Sequence, residues 1–355
     1  MIKRVFVIVI THNGEDDIGD FLETYRQYTP EDVSLVVVDN ASSDNTLDIV
    51  RDRMPDVAIL QNVMNRGYAG GAREGMEYAL AQGAATIALV NQDLRFTQHW
   101  LEPMVEYLDS HTACAAVQPR IMMYPQSDII NSYGNAQHYL GFGYTIGYRK
   151  ADNDYSCENG KQLATCSGAA TLFRASALKE VGLIDEHFFM YYEDSDLSWR
   201  LRMAGYTLSL CCDSTVYHRY EFSRSIQKFY YMERNRLITA MANYSVRTLL
   251  LLAHMMLVME AGMVGYSILG TLKGKRAYLT AREKLRSYAY FLFPSSWRYI
   301  LQKRRVAQRI RKVSDHEIVG LFVDTIEFQD IDNGVLRRIV NPLMHWYWTW
   351  IQRII

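Results

Sequence analysis

Short runs of apolar and β-branched residues recur through the first 120 positions, at Val5–Ile10, Ser34–Val38, Val57–Leu60, Thr86–Val90 and Ala115–Val117. Polar stretches with apolar positions at helical spacing separate them, over Glu15–Tyr28, Asp44–Arg53, Gly71–Gln82 and Gln98–Ser110. Continuously apolar strands alternating with helices predict an α/β fold whose mostly parallel sheet is covered by helices on both faces. Ligands bind such sheets beyond the carboxyl ends of the strands, so chemistry is expected just after each run. From Ile129 to Tyr148 the chain is rich in Gly, Tyr and Asn, which predicts a hairpin or flap. Helical spacing returns at Ser176–Val181 and Asp194–Ala204, strands are expected at Thr207–Cys211 and near Thr215–Tyr217, and beyond Tyr220 the chain reads as helical.

Composition refines this only a little. Apolar residues make up 49% of 355, enough for a packed core, and a formal net charge of −1 calls for no polyanionic partner. The five cysteines (Cys114, Cys157, Cys166, Cys211, Cys212) are odd in number and lack CxxC spacing. They predict thiols in a reducing compartment rather than a zinc module or a disulfide framework. The apolar opening from Met1 to Ile10 runs straight into Thr11 without a small-residue cleavage site, so it predicts a buried strand rather than a signal peptide.

The polar residues after the strands form a series. Thr11-His12-Asn13-Gly14 follows the first, and Asp39-Asn40-Ala41-Ser42-Ser43-Asp44 ends the second. Ser43 or Asp44 can cap the next helix, whereas Asp39, before the loop, is placed to accept hydrogen bonds from a ribose or base. Asn65-Arg66-Gly67-Tyr68-Ala69-Gly70-Gly71 opens the third helix, where glycines admit a ligand close to the backbone and the helix start favours phosphate. It is neither a Walker loop nor a GxGxxG fingerprint. The fourth strand ends in Asn91-Gln92-Asp93, a carboxylate suited to Mg2+ or Mn2+ beneath a phosphate. Glu193, Asp194 and Asp196 open a helix within Phe188–Arg202. Acids there also suit the helix dipole, but Asp194 and Asp196 face differently. One is expected to pair with Arg200 at i+4 while the other serves as general base, with Arg200 and Arg202 read as ion-pair partners. His218 follows a strand and stays open as a metal ligand.

As a set, these motifs resemble the inverting GT-A fold glycosyltransferases of the family 2 type, with a rhamnosyltransferase-like character. The resemblance rests on Val9–Asn13, Val37–Asp44, Asn65–Gly71, Val90–Asp93, Ser167-Gly168-Ala169, Gly182–Glu186, Tyr191–Leu197, His218 and Tyr230–Arg236, in order over roughly residues 3–240. It implies a Rossmann-like GT-A catalytic domain over 1–222; residues 223–355 read, from their own pattern, as a helical, membrane-associating region. Thr11, Asn13, Asp39, Gly67 and Asn91 would then bind the nucleotide. Asp93 and His218 would hold Mg2+ or Mn2+, and Ser167, Gly168 and Ala169 would border the sugar and acceptor. Asp194 would be the general base, with Glu193 beside it. Two departures stand out. Asn91-Gln92-Asp93 replaces the family's Asp-x-Asp or Asn-Pro-Asp, and Arg73-Glu74 stand where Asn or a small residue is common.

Thr248–Leu272 is apolar and long enough to span a bilayer, but His254 and Glu260 interrupt it, which predicts an interfacial or partly buried helix. Lys273–Lys312 holds 13 Lys and Arg against the single acid Glu283, interleaved with aromatics. After a transferase core this predicts an anionic membrane surface as partner rather than nucleic acid. The tail from Pro342 places residues 343, 346, 347, 350, 351 and 354 on one face of a helix, for a membrane or for docking on the core or a dimer partner. The expected enzyme is therefore peripheral at the cytoplasmic face of the membrane, with homo-oligomerisation left open. It would transfer rhamnose or another hexose from a dTDP- or UDP-sugar to a lipid-linked or cell-surface glycan. A sugar nucleotidyltransferase would want a Gly-rich, basic loop after the first strand, where Thr11–Asp17 has no Lys or Arg. An inactive scaffold is opposed by the Glu193-Asp194 pair.

Overall fold

The structure, a computed structural model, describes residues 4–220, 228–272, 277–327 and 334–355. The chain forms two compact units, Met1–Ala136 with Thr145–Tyr220, and Gln137–Tyr144 with Glu221–Ile355.

The first unit alternates β1 (Val5–Thr11), α1 (Glu15–Tyr28), β2 (Ser34–Asp39), α2 (Thr46–Arg53), β3 (Ala58–Gln61), α3 (Gly67–Ala81) and β4 (Thr86–Asn91). β5 (Leu94–Phe96), α4 (Glu102–Ser110), β6 (Cys114–Met123) and β7 (Ile130–Ser132) follow, and the short pair β8 (Asn135–Gln137) and β9 (Gly143–Thr145) spans the points where the chain enters and leaves the Gln137–Tyr144 segment of the second unit. The unit closes with β10 (Ala170–Arg174), α5 (Ala175–Val181), α6 (Glu193–Met203) and β11 (Thr207–His218). The main sheet runs β3-β2-β1-β4-β10-β6-β11-β5, with β7 paired to β6. Its first four strands are parallel, as their apolar runs predict. The other half is mixed: β10 runs antiparallel to both β4 and β6. That strand escaped the sequence reading because Ala170–Arg174 is short and directly abuts a helix. The two strands expected at Thr207–Cys211 and Thr215–Tyr217 are one, β11, irregular between Cys211 and Thr215. Val7, Ile8 and Val9 are fully buried at the centre, each contributing about 2 kcal/mol of transfer free energy.

Cys157 and Cys212 are joined by a disulfide, correcting the expectation of thiols throughout and removing the ground for inferring a reducing compartment. Residues 160–163 run along β11, with Gly160 N–H on Leu210 O and Leu163 N–H on Leu208 O, which brings cysteines 55 positions apart into register. Cys114, Cys166 and Cys211 are buried thiols.

The second unit holds α7 (Phe229–Asn243), α8 (Val246–Leu272), α9 (Ala277–Tyr290), α10 (Pro294–Ile310), α11 (Asp315–Val319) and α12 (Asn341–Ile351), the last preceded by a π-helical turn over Leu336–Val340. Within α8, Val246–Gly265 is long and apolar enough to cross a membrane, at a mean hydropathy of 1.7. Glu260 of α8 is paired with Arg236 of α7 and, at 2.7 Å, with Lys284 of α9. Glu233 pairs with the same two cations. Three buried charges and the partly buried Glu260 thus cluster where three helices meet, and Glu260 has structural partners rather than standing alone in an apolar run. Several expected surface cations turn inward: Lys284 and Lys303 are buried, and Arg304 donates to Met241 O and Tyr244 O. Arg298, Arg305, Arg309 and Lys312 remain exposed, while Lys273, Lys275 and Arg276 lie outside the described residues. In α12, Met344, Tyr347 and Trp348 face inward, Trp348 stacking on Tyr139 at 4.3 Å. Leu343, Trp346, Trp350 and Ile354 face outward. One face packs within the second unit and the other is exposed, so Tyr347 leaves the apolar stripe expected of it.

Candidate active site

The polar residues after β1, β2 and α3's opening turn are organised around backbone that leaves the sheet at its carboxyl edge. Thr11 donates to Asp39 Oδ1 at 3.1 Å, and Ser42 N–H to Asp39 Oδ2 at 3.1 Å, so the fully buried Asp39 carboxylate knits the two loops together. Asn13, at φ 49°, accepts from Ser43 N–H at 2.8 Å. Of Ser43 and Asp44, it is Asp44 that meets the helix starts. Its Oδ2 accepts the Glu15 N–H at the start of α1, and its Oδ1 accepts Thr46 N–H and hydroxyl at the start of α2. Burial pushes its carboxyl up, but these hydrogen bonds outweigh it and leave Asp44 below its ordinary range. Gly67 sits at φ 71°, with its carbonyl held by Asn40 Nδ2 at 2.7 Å. A Cβ here would lie 2.2 Å from Phe189 O, so only glycine fits. Arg73 and Glu74, the residues that depart from the family pattern, are occupied by Glu77 and by Asn62 and Arg66.

Asn91 closes β4 and donates its N–H to Ala169 O at 3.0 Å, which places the Ser167–Ala169 segment beside the Asn91–Asp93 turn. Gln92, where the family carries a second acid or proline, accepts from His12 N–H at 3.0 Å and packs against Gly14, tying this turn to the loop after β1. Asp93 Oδ1 lies 3.1 Å from His218 Nε2. The other ring nitrogen of His218 lies 3.1 Å from Oδ1 of buried Asn131. With Asn131 accepting from Nδ1–H, Nε2 presents a lone pair to the carboxylate, as assigned from these contacts. Two acceptors then face each other, an arrangement that a cation bridges. A carboxylate and an imidazole are donors suited to Mn2+ or Mg2+ that takes its remaining ligands from phosphate and water. Among the described residues no group of three or more His, Cys, Asp or Glu is poised for a metal; Asp93 and His218 stand as a pair.

The acids of α6 divide as their spacing predicts. Asp196 is fully buried, and Arg200 Nε meets it at 2.9 Å while the same guanidinium reaches the carbonyls of Val181, Gly182 and Leu183. Arg202 instead binds Leu163 O, Leu208 O and Gln162 Oε1; among the described residues it clamps carbonyls where an ion pair was expected. Asp194 points the other way and is partly exposed. Its Oδ2 accepts Gly168 N–H at 2.9 Å, and its Oδ1 accepts Ser195 N–H at 2.7 Å and the Ser195 hydroxyl at 3.3 Å. Burial raises the Asp194 carboxyl above its ordinary value against the pull of these hydrogen bonds. Burial, then the neighbouring Asp194 charge, pushes Glu193 up to about 8. Ser167 N–H is held by Gln118 Oε1 at 2.7 Å, fixing the turn that carries Gly168. The structure thus gathers Asp93, His218, Asn91, Ser167–Ala169, Asp194 and Glu193 through short links. Thr11, Asn13, Asp39 and Gly67 form the adjoining loops. Asn131, Gln92 and the Tyr68 hydroxyl, which donates to Gly168 O at 2.6 Å, are unassigned in the sequence reading. Asn131 carries no local signal at all. A separate depression of about 770 Å³ at the amino ends of β1–β3, lined by Arg4, Tyr25, Asp52 and Tyr78 among others, contains none of these residues.

Residues 6–182 match the family model described as Glycosyl transferase family 2. The chain belongs to this family. It is 28% identical over 225 residues to galactofuranosyltransferase GlfT1 of Mycobacterium tuberculosis, covering 61% of this chain and 71% of the relative. To the N-acetylglucosaminyl-diphospho-decaprenol L-rhamnosyltransferase of the same organism it is 25% identical over 232 residues, covering 60% and 75%. Among solved structures, the mannosyltransferase PcManGT from Pyrobaculum calidifontis, in complex with GDP-Man and Mn2+, matches with a TM-score of 0.50 at 17% identity over 86% of each chain. The family 2 transferase thus has the GT-A fold and is a glycosyltransferase of the hexosyltransferase type.

Proposed function

We propose that this transferase moves rhamnose or another hexose, with inversion, from a dTDP- or UDP-sugar to a hydroxyl of a lipid-linked or cell-surface glycan. The observation that carries the reading is Asp194: a half-buried carboxylate held by Gly168 and Ser195, two short links from the Asp93–His218 pair. Asp194 takes the acceptor's hydroxyl proton as that oxygen bonds to the anomeric carbon, and the bond from that carbon to the nucleoside diphosphate breaks on the opposite face. A single base suffices, unlike the two carboxylates a glycosidase sets around its bond. Asp93 and His218 would hold Mg2+ or Mn2+, which when bound supplies positive charge to the departing diphosphate. The loops of Thr11, Asn13, Asp39 and Gly67 would seat the nucleotide, with Asn91 at its edge. The named relatives include a rhamnosyltransferase acting on a diphospho-decaprenol-linked sugar, which supports the acceptor class.

The second unit would bind an anionic membrane surface peripherally, through the outward stripe of Leu343, Trp346, Trp350 and Ile354 and the exposed cations of α10. The test is a donor panel with Mn2+ or Mg2+ and a lipid-linked acceptor, read as nucleoside diphosphate released. Release from one donor that falls roughly 10²–10⁴-fold in Asp194→Asn supports the reading. Release unchanged by that substitution, or absent for all donors, removes it.

A further inference from the structure

The backbone leading into Asp194 is strained. Phe189 has φ 64° and ψ −58°, and Met190 N–H reaches back to Phe188 O at 2.7 Å, a γ-turn of the disfavoured hand. Tyr191 and Tyr192 follow at φ 65° and 69°. Three non-glycine residues at positive φ within four positions, directly before Glu193 and Asp194, persist only where surrounding contacts enforce them.

Those contacts come from the glycine-rich turn that opens α3. Ala69 N–H donates to Phe189 O at 3.0 Å, Gly67 is packed onto that same carbonyl, and Arg66 pairs with Glu186 at 2.5 Å. The fourth contact reaches the base through Gly168. The Tyr68 hydroxyl donates to Gly168 O at 2.6 Å, and Gly168 N–H donates to Asp194 Oδ2 at 2.9 Å. Gly168 is therefore gripped at both ends, by Tyr68 on one side and by the carboxylate on the other. A Cβ on Gly168 would stand only 3.4 Å from Asp194 Oδ2. Tyr68 is half-buried, and its phenol is held well above its ordinary range by burial and then by the charges of Glu193 and Asp194.

We infer that Tyr68 is a positioning residue for the general base: its hydroxyl fixes the Gly168 backbone, whose N–H in turn aims the Asp194 carboxylate. The turn that would seat the donor nucleotide then also sets the base that deprotonates the acceptor. The inference rests on reading Asp194 as that base. The alternative is a tyrosine hydroxyl that merely satisfies a carbonyl, which would leave catalysis untouched.

The test is Tyr68→Phe, which removes only the hydroxyl, assayed for kcat, donor KM and the pH dependence of kcat with Asp194→Asn as control. The titratable groups facing Asp194 are Glu193 on its own helix, Tyr68 on α3 and Cys166 before β10. Expected is a roughly tenfold fall in kcat with donor KM within about twofold. The acid limb should also move to higher pH, because a poorly aimed Gly168 N–H stabilises the carboxylate less. The position of that limb does not depend on how much enzyme is folded, so it stays readable if the variant is less stable. An inactive Asp194→Asn beside a Tyr68→Phe enzyme with unchanged kcat and acid limb overturns this inference alone. So does a rise in donor KM with both unchanged, which would assign the hydroxyl to the nucleotide. An active Asp194→Asn instead overturns the base reading.

Discussion

Glu193 begins α6 only 6% exposed, and among the described residues its Oε2 finds no hydrogen-bond partner. A carboxyl in that position is stabler protonated, and burial followed by the Asp194 charge carries it up to about 8. A raised carboxyl pKa means that the folded state holds a proton the unfolded chain has lost. Its stabilising effect is complete below the ordinary glutamate range near 4.5 and is lost as pH rises through about 8. The thermal midpoint should therefore fall between pH 6 and pH 8.5, and fall less steeply in Glu193→Gln; equal slopes in calorimetry would contradict the protonated state. At the Asp93–His218 pair the corresponding residue is Asn131, which orients the imidazole without reaching a cation. Asn131→Ala should weaken Mn2+ binding in the presence of nucleoside diphosphate by about 10–100-fold, measured by titration calorimetry. An unchanged affinity would leave Asn131 as packing.

At the scale of elements, the junction between α3 and the start of α6 depends on Gly67. Gly67→Ala must accommodate both a positive φ and a Cβ at 2.2 Å from Phe189 O. A loss of roughly 1–3 kcal/mol in denaturant unfolding is expected, together with loss of turnover. In the second unit the corresponding junction is ionic. Glu260 is pushed down to about 2, its burial opposed first by Arg236 and then by Lys284, and Glu233 is also lowered. These carboxylates stabilise the fold above about pH 4.5, and that contribution is lost as pH falls toward 2. Glu260→Gln leaves Glu233 as the remaining carboxylate beside both Arg236 and Lys284 and should cost about 1–3 kcal/mol. A cost under about 1 kcal/mol would show that α8 is not held by this cluster.

At the scale of the molecule, α8 is apolar enough for a bilayer, yet its Glu260 is committed to a charge cluster shared with α7 and α9. Inserting α8 across a membrane would carry or break that cluster, so surface attachment through α12 and α10 is the reading the charges favour. Vesicles containing anionic lipid should float with the full chain, and less so as salt rises. Flotation should drop severalfold for a Trp346→Ala, Trp350→Ala double variant, whereas Lys303→Gln, at a buried position, should leave it unchanged. Flotation indifferent to the tryptophans would return that stripe to another partner.

Periodicity determined the parallel half of the sheet, because strands buried on both faces must be apolar throughout. It also pointed to the polar residues after β1, β2, α3's turn and β4 as candidates for chemistry, because that is where such a sheet opens. The i+4 spacing of Asp196 and Arg200 likewise told which acid was spent on structure. Tertiary structure decided what local pattern cannot encode. The antiparallel β10 brings Ser167–Ala169 to Asn91, and an asparagine far from any motif orients His218. A loop beside β11 joins Cys157 to Cys212, and inward-turned cations shrink the basic surface of the second unit. Each is a contact between distant segments, and a sequence window records only neighbours. The pair Asp93 and Asp194 was legible as residue types at strand and helix ends. That they are linked through Asn91, Ala169 and Gly168, with Tyr68 holding the last, was settled only when the chain closed on itself.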